Sequence, residues 1–288
     1  MSERKKVTLP MLFKKKTSGE AITMLTCYDY PTAHFQDQAG IDIVLVGDSL
    51  GMTMLGYQST LPVTMDDMIR HAQAVRRGAP NVWLIGDMPY MTYQPSIETA
   101  IRSAGRFMAE AGCDAIKLEG GAEMADRLAG VVAAGIPTMG HLGLTPQSAS
   151  ALGGFRLQGK SALQAKKIID DARALEEAGA FAILLELVPK QVCRIITERA
   201  QDCIIIASGS GLHAHGQILI YHDMFGLYPH FKPRMAKVYA DAGQIILNGL
   251  KQYVGEVTNR TFPQPENWFG MKDKEYEELL RLLDEDTD

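Results

Sequence analysis

Three carboxylates, Asp48, Asp87 and Glu119, stand where short apolar runs end, in VGDS, IGDM and KLEG. If those runs are consecutive parallel strands, their carboxyl ends share one face, where α/β proteins carry their sites. Carboxylates converging there repel one another unless a cation neutralises them. Oxygen donors with no thiol or imidazole cluster beside them suit a hard divalent ion, magnesium before others. Taken singly, each carboxylate serves as readily as a loop cap or an exposed acid. Lys117 lies two residues before Glu119, so strand alternation sends both side chains to one face. Between Ile116 and Leu118, it is placed to pair with the acids as a structural salt bridge, to hold an anionic substrate such as a carboxylate, or to do both.

Glu186 sits in AILLELVP. Enclosure by apolar side chains suits a carboxylate that acts as a general base near neutral pH; the alternative is a cap for a helix starting near Pro189. His141, in GHLGLTPQS, either donates to an oxyanion or satisfies backbone carbonyls. His213, His215, His222 and His230 have no familiar metal-ligand spacing. The methionines fall mostly in apolar runs and read as core filler.

The elements that must position these residues are legible as eight β-rich apolar runs, at 21–27, 41–46, 82–85, 115–118, 136–139, 181–185, 204–207 and 217–221. Helical spacing fills most of the gaps. Thr64 is an N-cap candidate with Asp66 and Asp67 in the first turn and Gly78 at the end; a second helix runs from Ser96 to Gly112, and a third from about Ala162 to Gly179. Near-continuous apolar strands alternating with helices predict an α/β fold with a parallel sheet. Eight of them in 288 residues favour a single (β/α)8 TIM barrel spanning 1–288, with an N-terminal helical lead-in over 1–20, read as solvated, and a C-terminal helical tail over 271–288. EAGCDAIKLE (110–119) and EAGAFAILLE (177–186) repeat one unit: a helix stopped by glycine, a buried strand, a carboxylate at its end. No GxGxxG or GxxxxGK[ST] follows a strand, which weakens a nucleotide-binding reading.

Composition narrows the classes further. Hydrophobic residues make up 46% and the net charge is −5, enough apolar material for a large core and no basic field for nucleic acid or anionic lipid. No apolar stretch is long enough to span a bilayer. Cys27, Cys113, Cys193 and Cys203 are scattered, as expected for reduced, buried thiols of a cytoplasmic protein, and the lysine-rich start lacks a signal-peptide core.

The motifs VGDSLG (46–51), LPVTMDDM (61–68), GDMPY (86–90), IKLEGG (116–121), GHLGLTPQS (140–148), GGFRLQGK (153–160), LLELVP (184–189) and GQILIYHDMFGL (216–227) follow in the order and spacing of ketopantoate hydroxymethyltransferases. The chain resembles that family from about Thr8 to Phe269. The resemblance implies a (β/α)8 barrel, assembly as a homodecamer, and transfer of a hydroxymethyl group from 5,10-methylenetetrahydrofolate to 3-methyl-2-oxobutanoate, giving 2-dehydropantoate for pantothenate and coenzyme A biosynthesis. It implies Mg2+ held by Asp48 and Asp87 with Glu119 a third ligand, keto-acid contacts from Asp48, Ser49, Asp87 and Lys117, and Glu186 as proton acceptor. One stretch departs: where the family reads GIGAG, three residues, then DGQ, this chain has ASGSG-LHA-HGQ (207–217), with His215 in place of aspartate. That loop is expected to border the folate side or a subunit contact. Two other readings compete: a magnesium-dependent lyase or mutase of the phosphoenolpyruvate mutase and isocitrate lyase group, which lacks support from any KKCGH-like segment here, and a non-catalytic keto-acid-binding barrel, which the intact ionisable set opposes.

Overall fold

The computed structural model describes residues 4–154, 156–228 and 233–285. His230 and the last three residues of the tail lie outside them, as do the first three of the lead-in. The chain divides into two compact units, 1–239 and 240–288.

In the first unit, α1 (Leu9–Ser18) precedes β1 (Ile22–Thr26), α2 (Tyr30–Ala39), β2 (Ile43–Val46), α3 (Leu50–Thr53), α4 (Met65–Gly78), β3 (Trp83–Asp87) and α5 (Ile97–Ala111). Then come β4 (Ala115–Glu119), α6 (Ala125–Ala133), β5 (Thr138–Gly143), α7 (Ala149–Leu152), α8 (Ala162–Glu177), β6 (Ala182–Glu186), α9 (Lys190–Arg199), β7 (Ile204–Ser208), β8 (Gly216–Leu219) and α10 (Tyr221–Met224). The eight strands are parallel and close on themselves in sequence order, β8 returning to β1. All eight expected strands are present, and the fold is the expected (β/α)8 barrel. The second unit holds α11 (Ala242–Thr258) and α12 (Asp273–Glu285), neither with a buried residue.

Local signals explain the helix boundaries. Thr64 and Asp67 form a reciprocal capping box at the start of α4, and Ser161 and Gln164 do the same for α8. Gly112 ends α5 in the left-handed conformation at φ 65°. α4 ends at Gly78 as expected, and a Cβ there would collide with the Tyr30 carbonyl and Ala33, so this glycine also lets α4 approach α2.

Strand alternation builds two cores. Val44, Leu84, Ile116 and Ile183 face outward to the helices, while Ile43, Leu45, Trp83, Ile85, Met139, Leu184 and Ile206 fill the barrel interior. The lead-in is not merely solvated. Val7 and Leu12 are buried and join the interior cluster, so α1 contributes to the barrel's core.

The β7–β8 connection, residues 209–215, has no helix, although parallel neighbours ordinarily need a long crossover. Two left-handed glycines, Gly209 (φ 66°) and Gly211 (φ 95°), turn the chain. Because β7 pairs with β8 only at Ile206 and Ala207, the Ile205 N–H lacks a strand acceptor and donates to His215 Nδ1 at 2.9 Å. The His215 carbonyl accepts from Ile22. His215 is therefore part of the barrel wall where β8 begins, its side chain serving the sheet. Burial holds its imidazole near pKa 4, with Lys16 adding to the effect.

Candidate active site at the carboxyl end of the barrel

Parity along the strands delivers the chemistry. Interior positions alternate, so each strand that buries apolar residues low in the barrel presents its last inward residue at the mouth. Trp83 and Ile85 are followed inward by Asp87, Ala115 by Lys117 and Glu119, Met139 by His141, Ala182 and Leu184 by Glu186, and Ile204 and Ile206 by Ser208. Register brings them side by side: Asp87 pairs with Lys117, Glu119 with His141, and Glu186 with Ser208.

Asp48, Asp87, Lys117, Glu119 and His141 are each 4% exposed or less, so no solvent shell compensates their charges. Lys117 Nζ lies 2.6 Å from Asp87 Oδ1 and 3.9 Å from Glu119 Oε1. The Asp48 amide donates to Asp87 Oδ2 at 3.1 Å. Burial and the charges of Asp87 and Glu119 push the Asp48 carboxyl well above its ordinary range. Burial also raises Asp87, against the pull of Lys117. For Glu119 burial is outweighed by His141 and Lys117, which hold the carboxyl below its usual range. The acids keep Lys117 protonated despite its burial. His141 spans the site, Nδ1 3.4 Å from Glu119 Oε1 and Nε2 3.4 Å from Glu186 Oε2. Burial and Lys117 push its imidazole down, but the two carboxylates win and lift it to about 8.

Glu186 differs from the expectation of apolar enclosure. Its side chain is 18% exposed and faces His141, so a polar contact rather than an apolar pocket orients it. Ser49 Oγ hydrogen-bonds Tyr28 Oη at 2.8 Å. Asp29, another strand-end acid, caps α2 by accepting from Thr32.

Sequence reasoning missed the amide that ties the site together. Gln147 Nε2 donates to Asp48 Oδ2 and to the Met88 carbonyl, both at 2.9 Å, and its backbone N–H donates to Glu119 Oε2 at 3.0 Å. Its Oε1 accepts from Tyr93 Oη at 2.8 Å. Gln147 does not titrate, so a search for acids, bases and ligands passes over it; its only signal was its place in the GHLGLTPQS motif. Asp223, on α10, is also nearly buried, and burial with the Glu186 charge raises it to about 6.

The site fits a hard cation in one respect. Glu119 Oε1 is buried without a hydrogen-bond partner. The clustered acids also carry more negative charge than Lys117 alone offsets. Among the described residues no set of three or more His, Cys, Asp and Glu side chains is arranged as a ready-made ligand cage. A metal here would therefore rest on one or two carboxylates and complete its shell with water or substrate oxygens, the usual habit of magnesium.

Fold and site together define a (β/α)8-barrel enzyme with ionic and acid–base machinery at the carboxyl mouth. The sequence matches the family described as ketopantoate hydroxymethyltransferase over residues 6–265. It is 49% identical over 266 residues to the 3-methyl-2-oxobutanoate hydroxymethyltransferase of Carboxydothermus hydrogenoformans, covering 92% of this chain and 96% of that one. Identity to the same-named protein of Moorella thermoacetica is also 49%, covering 93% and 100%. The chain belongs to the ketopantoate hydroxymethyltransferase family, and so to the transferases. Among solved structures, a phosphonopyruvate hydrolase superposes with a TM-score of 0.61 at 15% identity over 98% of this chain and 97% of that one. A 2,3-dimethylmalate lyase of the PEP mutase/isocitrate lyase superfamily gives 0.58 at 14%, over 97% and 96%. At such identities the likeness is one of fold.

The four cysteines are free and buried, and among the described residues no helix is long and apolar enough to cross a membrane.

Proposed function

We propose that this chain transfers a hydroxymethyl group from 5,10-methylenetetrahydrofolate to 3-methyl-2-oxobutanoate, giving 2-dehydropantoate for pantothenate and coenzyme A synthesis. The observation that carries the reading is the line Glu119–His141–Glu186, which sets one carboxylate beside the buried acidic cluster and another at the open side of the mouth. Family membership and the names of the relatives support it.

A divalent ion, magnesium first, would be held by Asp48 and Asp87 with Glu119 behind a water, and when bound supplies Lewis-acid polarisation of the keto acid's 2-keto oxygen. The remaining work falls to the chain. Asp48, Ser49, Asp87 and Lys117 bind and orient the keto acid. Glu186, more accessible than the buried Asp48, Asp87 and Glu119, accepts the C3 proton. Lys117 and the His141 imidazolium are fixed positive charges near the negative charge that develops on the keto oxygen. The donor's methylene carbon is released by water, its N10 and N5 bonds breaking in turn to leave tetrahydrofolate and a formaldehyde-level carbon in the site. The carbanionic C3 bonds to that carbon, whose oxygen takes the proton that Glu186 removed. His141, placed by the sequence either as an oxyanion donor or as a backbone partner, is read here as the group that orients Glu186.

The homodecamer implied by the resemblance, and a cytoplasmic location, belong to the same reading. Light scattering after gel filtration tests the assembly. The activity is tested by incubating the protein with 3-methyl-2-oxobutanoate, magnesium and 5,10-methylenetetrahydrofolate. Hydroxymethylated product that requires both the donor and the metal is expected; none, from folded protein, would sink the proposal.

A further inference from the structure

The reaction proposed above gathers negative charge on two oxygens in turn. The first is the 2-keto oxygen, charged while C3 is a carbanion, and Lys117 and the His141 imidazolium stand near it. The second is the oxygen of the one-carbon unit, charged as the new carbon–carbon bond forms. It lies beside C3, and therefore beside Glu186, and it needs a donor of its own.

Ser208 is placed to be that donor. Ile204 and Ile206 fill the barrel interior, and parity sends Ser208, the last residue of β7, the same way. It is the register partner of Glu186, and adjacent strands run about 4.8 Å apart, so the hydroxyl and the base are neighbours. The Leu187 N–H donates to the Ser208 carbonyl at 2.9 Å and ties the two strand ends together. Side chains close the turn that follows: a Cβ at Gly209 would lie 2.7 Å from Met235 Sδ and 3.1 Å from Leu187 Cδ2. Ser208 is only 6% exposed, yet its hydroxyl donates to a thioether, Met235 Sδ at 3.9 Å, which is a weak acceptor. Other hydroxyls around the mouth are committed. Ser49 Oγ bonds Tyr28 Oη, and Tyr93 Oη donates to Gln147. Ser210 Oγ donates to the Leu185 carbonyl at 2.9 Å and accepts from the Val188 N–H at 3.0 Å. A buried hydroxyl with so poor a partner gains most when a charged acceptor arrives.

We infer that the Ser208 hydroxyl donates a hydrogen bond to the oxygen of the one-carbon unit as that unit bonds to C3. The inference rests on the function proposed above. The C3 electron pair forms the bond to the formaldehyde-level carbon, and the π pair of that carbon moves onto its oxygen. The oxygen takes the proton held by Glu186, which returns to its ionised form. Ser208 keeps its own proton throughout. It stabilises the developing charge and, by holding the oxygen toward β7, turns the carbon toward C3.

The test separates the two half-reactions of the full-length enzyme with magnesium. Exchange of the C3 proton in heavy water needs Glu186 but no one-carbon unit, whereas transfer needs both. Ser208→Ala is expected to leave exchange unchanged and to slow transfer in single turnovers roughly tenfold, the scale of one hydrogen bond to a developing charge. Ser208→Thr, which keeps a hydroxyl, should recover most of the transfer rate. Met235→Leu removes the thioether and should leave both rates as they are. Exchange slowed as much as transfer in Ser208→Ala would assign the hydroxyl to Glu186 or to the keto acid and overturn the inference. Undiminished transfer in Ser208→Ala would overturn it too. So would a Met235→Leu variant that reproduces the loss, since the hydroxyl would then serve packing alone. No transfer by the unchanged enzyme would instead sink the reaction on which the inference rests.

Discussion

On the β2–β4 side of the mouth, Asp48, Asp87, Lys117 and Glu119 are buried, hydrogen-bonded through Gln147 and forced into contact. On the β5–β8 side, Arg156, Lys160, Arg234 and Lys237 lie exposed between elements and Lys190 is exposed at the start of α9, none in an ion pair among the described residues. The first arrangement stores electrostatic stress in a rigid, dry pocket, where position is fixed and each charge is energetically consequential. The second spreads weaker charges over a solvated surface, where they attract without fixing geometry. The buried side suits a small keto acid whose atoms must be held for proton removal.

That contrast predicts unequal costs of substitution. Lys117→Met removes the one lysine from the buried acids and should destabilise the metal-free protein by about 3–5 kcal/mol, measured by urea unfolding in a chelator. A loss under about 1 kcal/mol would mean the cluster is solvated and the contrast is overdrawn. Gln147→Leu leaves Asp48 Oδ2 without its donor, while Tyr93 Oη keeps its bonds to the Glu119 backbone, and should cost about 1–3 kcal/mol in the same assay. It should also weaken magnesium-dependent turnover. Gly86→Ala, one position before Asp87, would place a Cβ 2.2 Å from Phe107 Cδ1. Overpacking of about 1–3 kcal/mol, read as a lower Tm, should follow.

On the other side the effects are smaller. His215 titrates near 4 in the fold against an ordinary 6.5. The stability it contributes is complete above pH 6.5 and is lost as pH falls toward 4, about 1–2 kcal/mol allowing for its partial exposure. His215→Asn keeps an acceptor for the Ile205 N–H and should flatten that slope; an unchanged slope would place the titration elsewhere. Smallest are single substitutions of the exposed cations. One as costly to folding as Lys117→Met would erase the distinction between the two sides.

Much of this was legible in the residues. The strands announced themselves because both faces of a parallel strand are buried, and Thr64, Ser96 and Gly112 marked helix ends by capping chemistry that is local. Asp87, Lys117, Glu119 and Glu186 were readable because strand parity converts sequence position into direction, and Asp48 because it follows the end of a strand-like run. What escaped depends on contacts far apart in the chain. Gln147 matters through partners 28 and 99 residues away. The environment of Glu186 was misjudged because its sequence neighbours are apolar while its spatial neighbour is His141. The part His215 plays in the sheet was not legible because a β7–β8 link without a helix, closed by a side chain acting as backbone acceptor, leaves no periodic trace. The lead-in was read as solvated because its lysines outnumber Val7 and Leu12, the residues that enter the core.

The central claim is that Glu186 removes the C3 proton of the keto acid. Proton NMR of 3-methyl-2-oxobutanoate with protein and magnesium in heavy water tests it without the donor. The C3 signal should disappear with the unchanged enzyme. In Glu186→Gln it should persist, exchange slowing by roughly 10²–10⁴-fold while the keto acid still binds. Undiminished exchange in that variant would remove Glu186 as the base and, with it, the part inferred for Ser208.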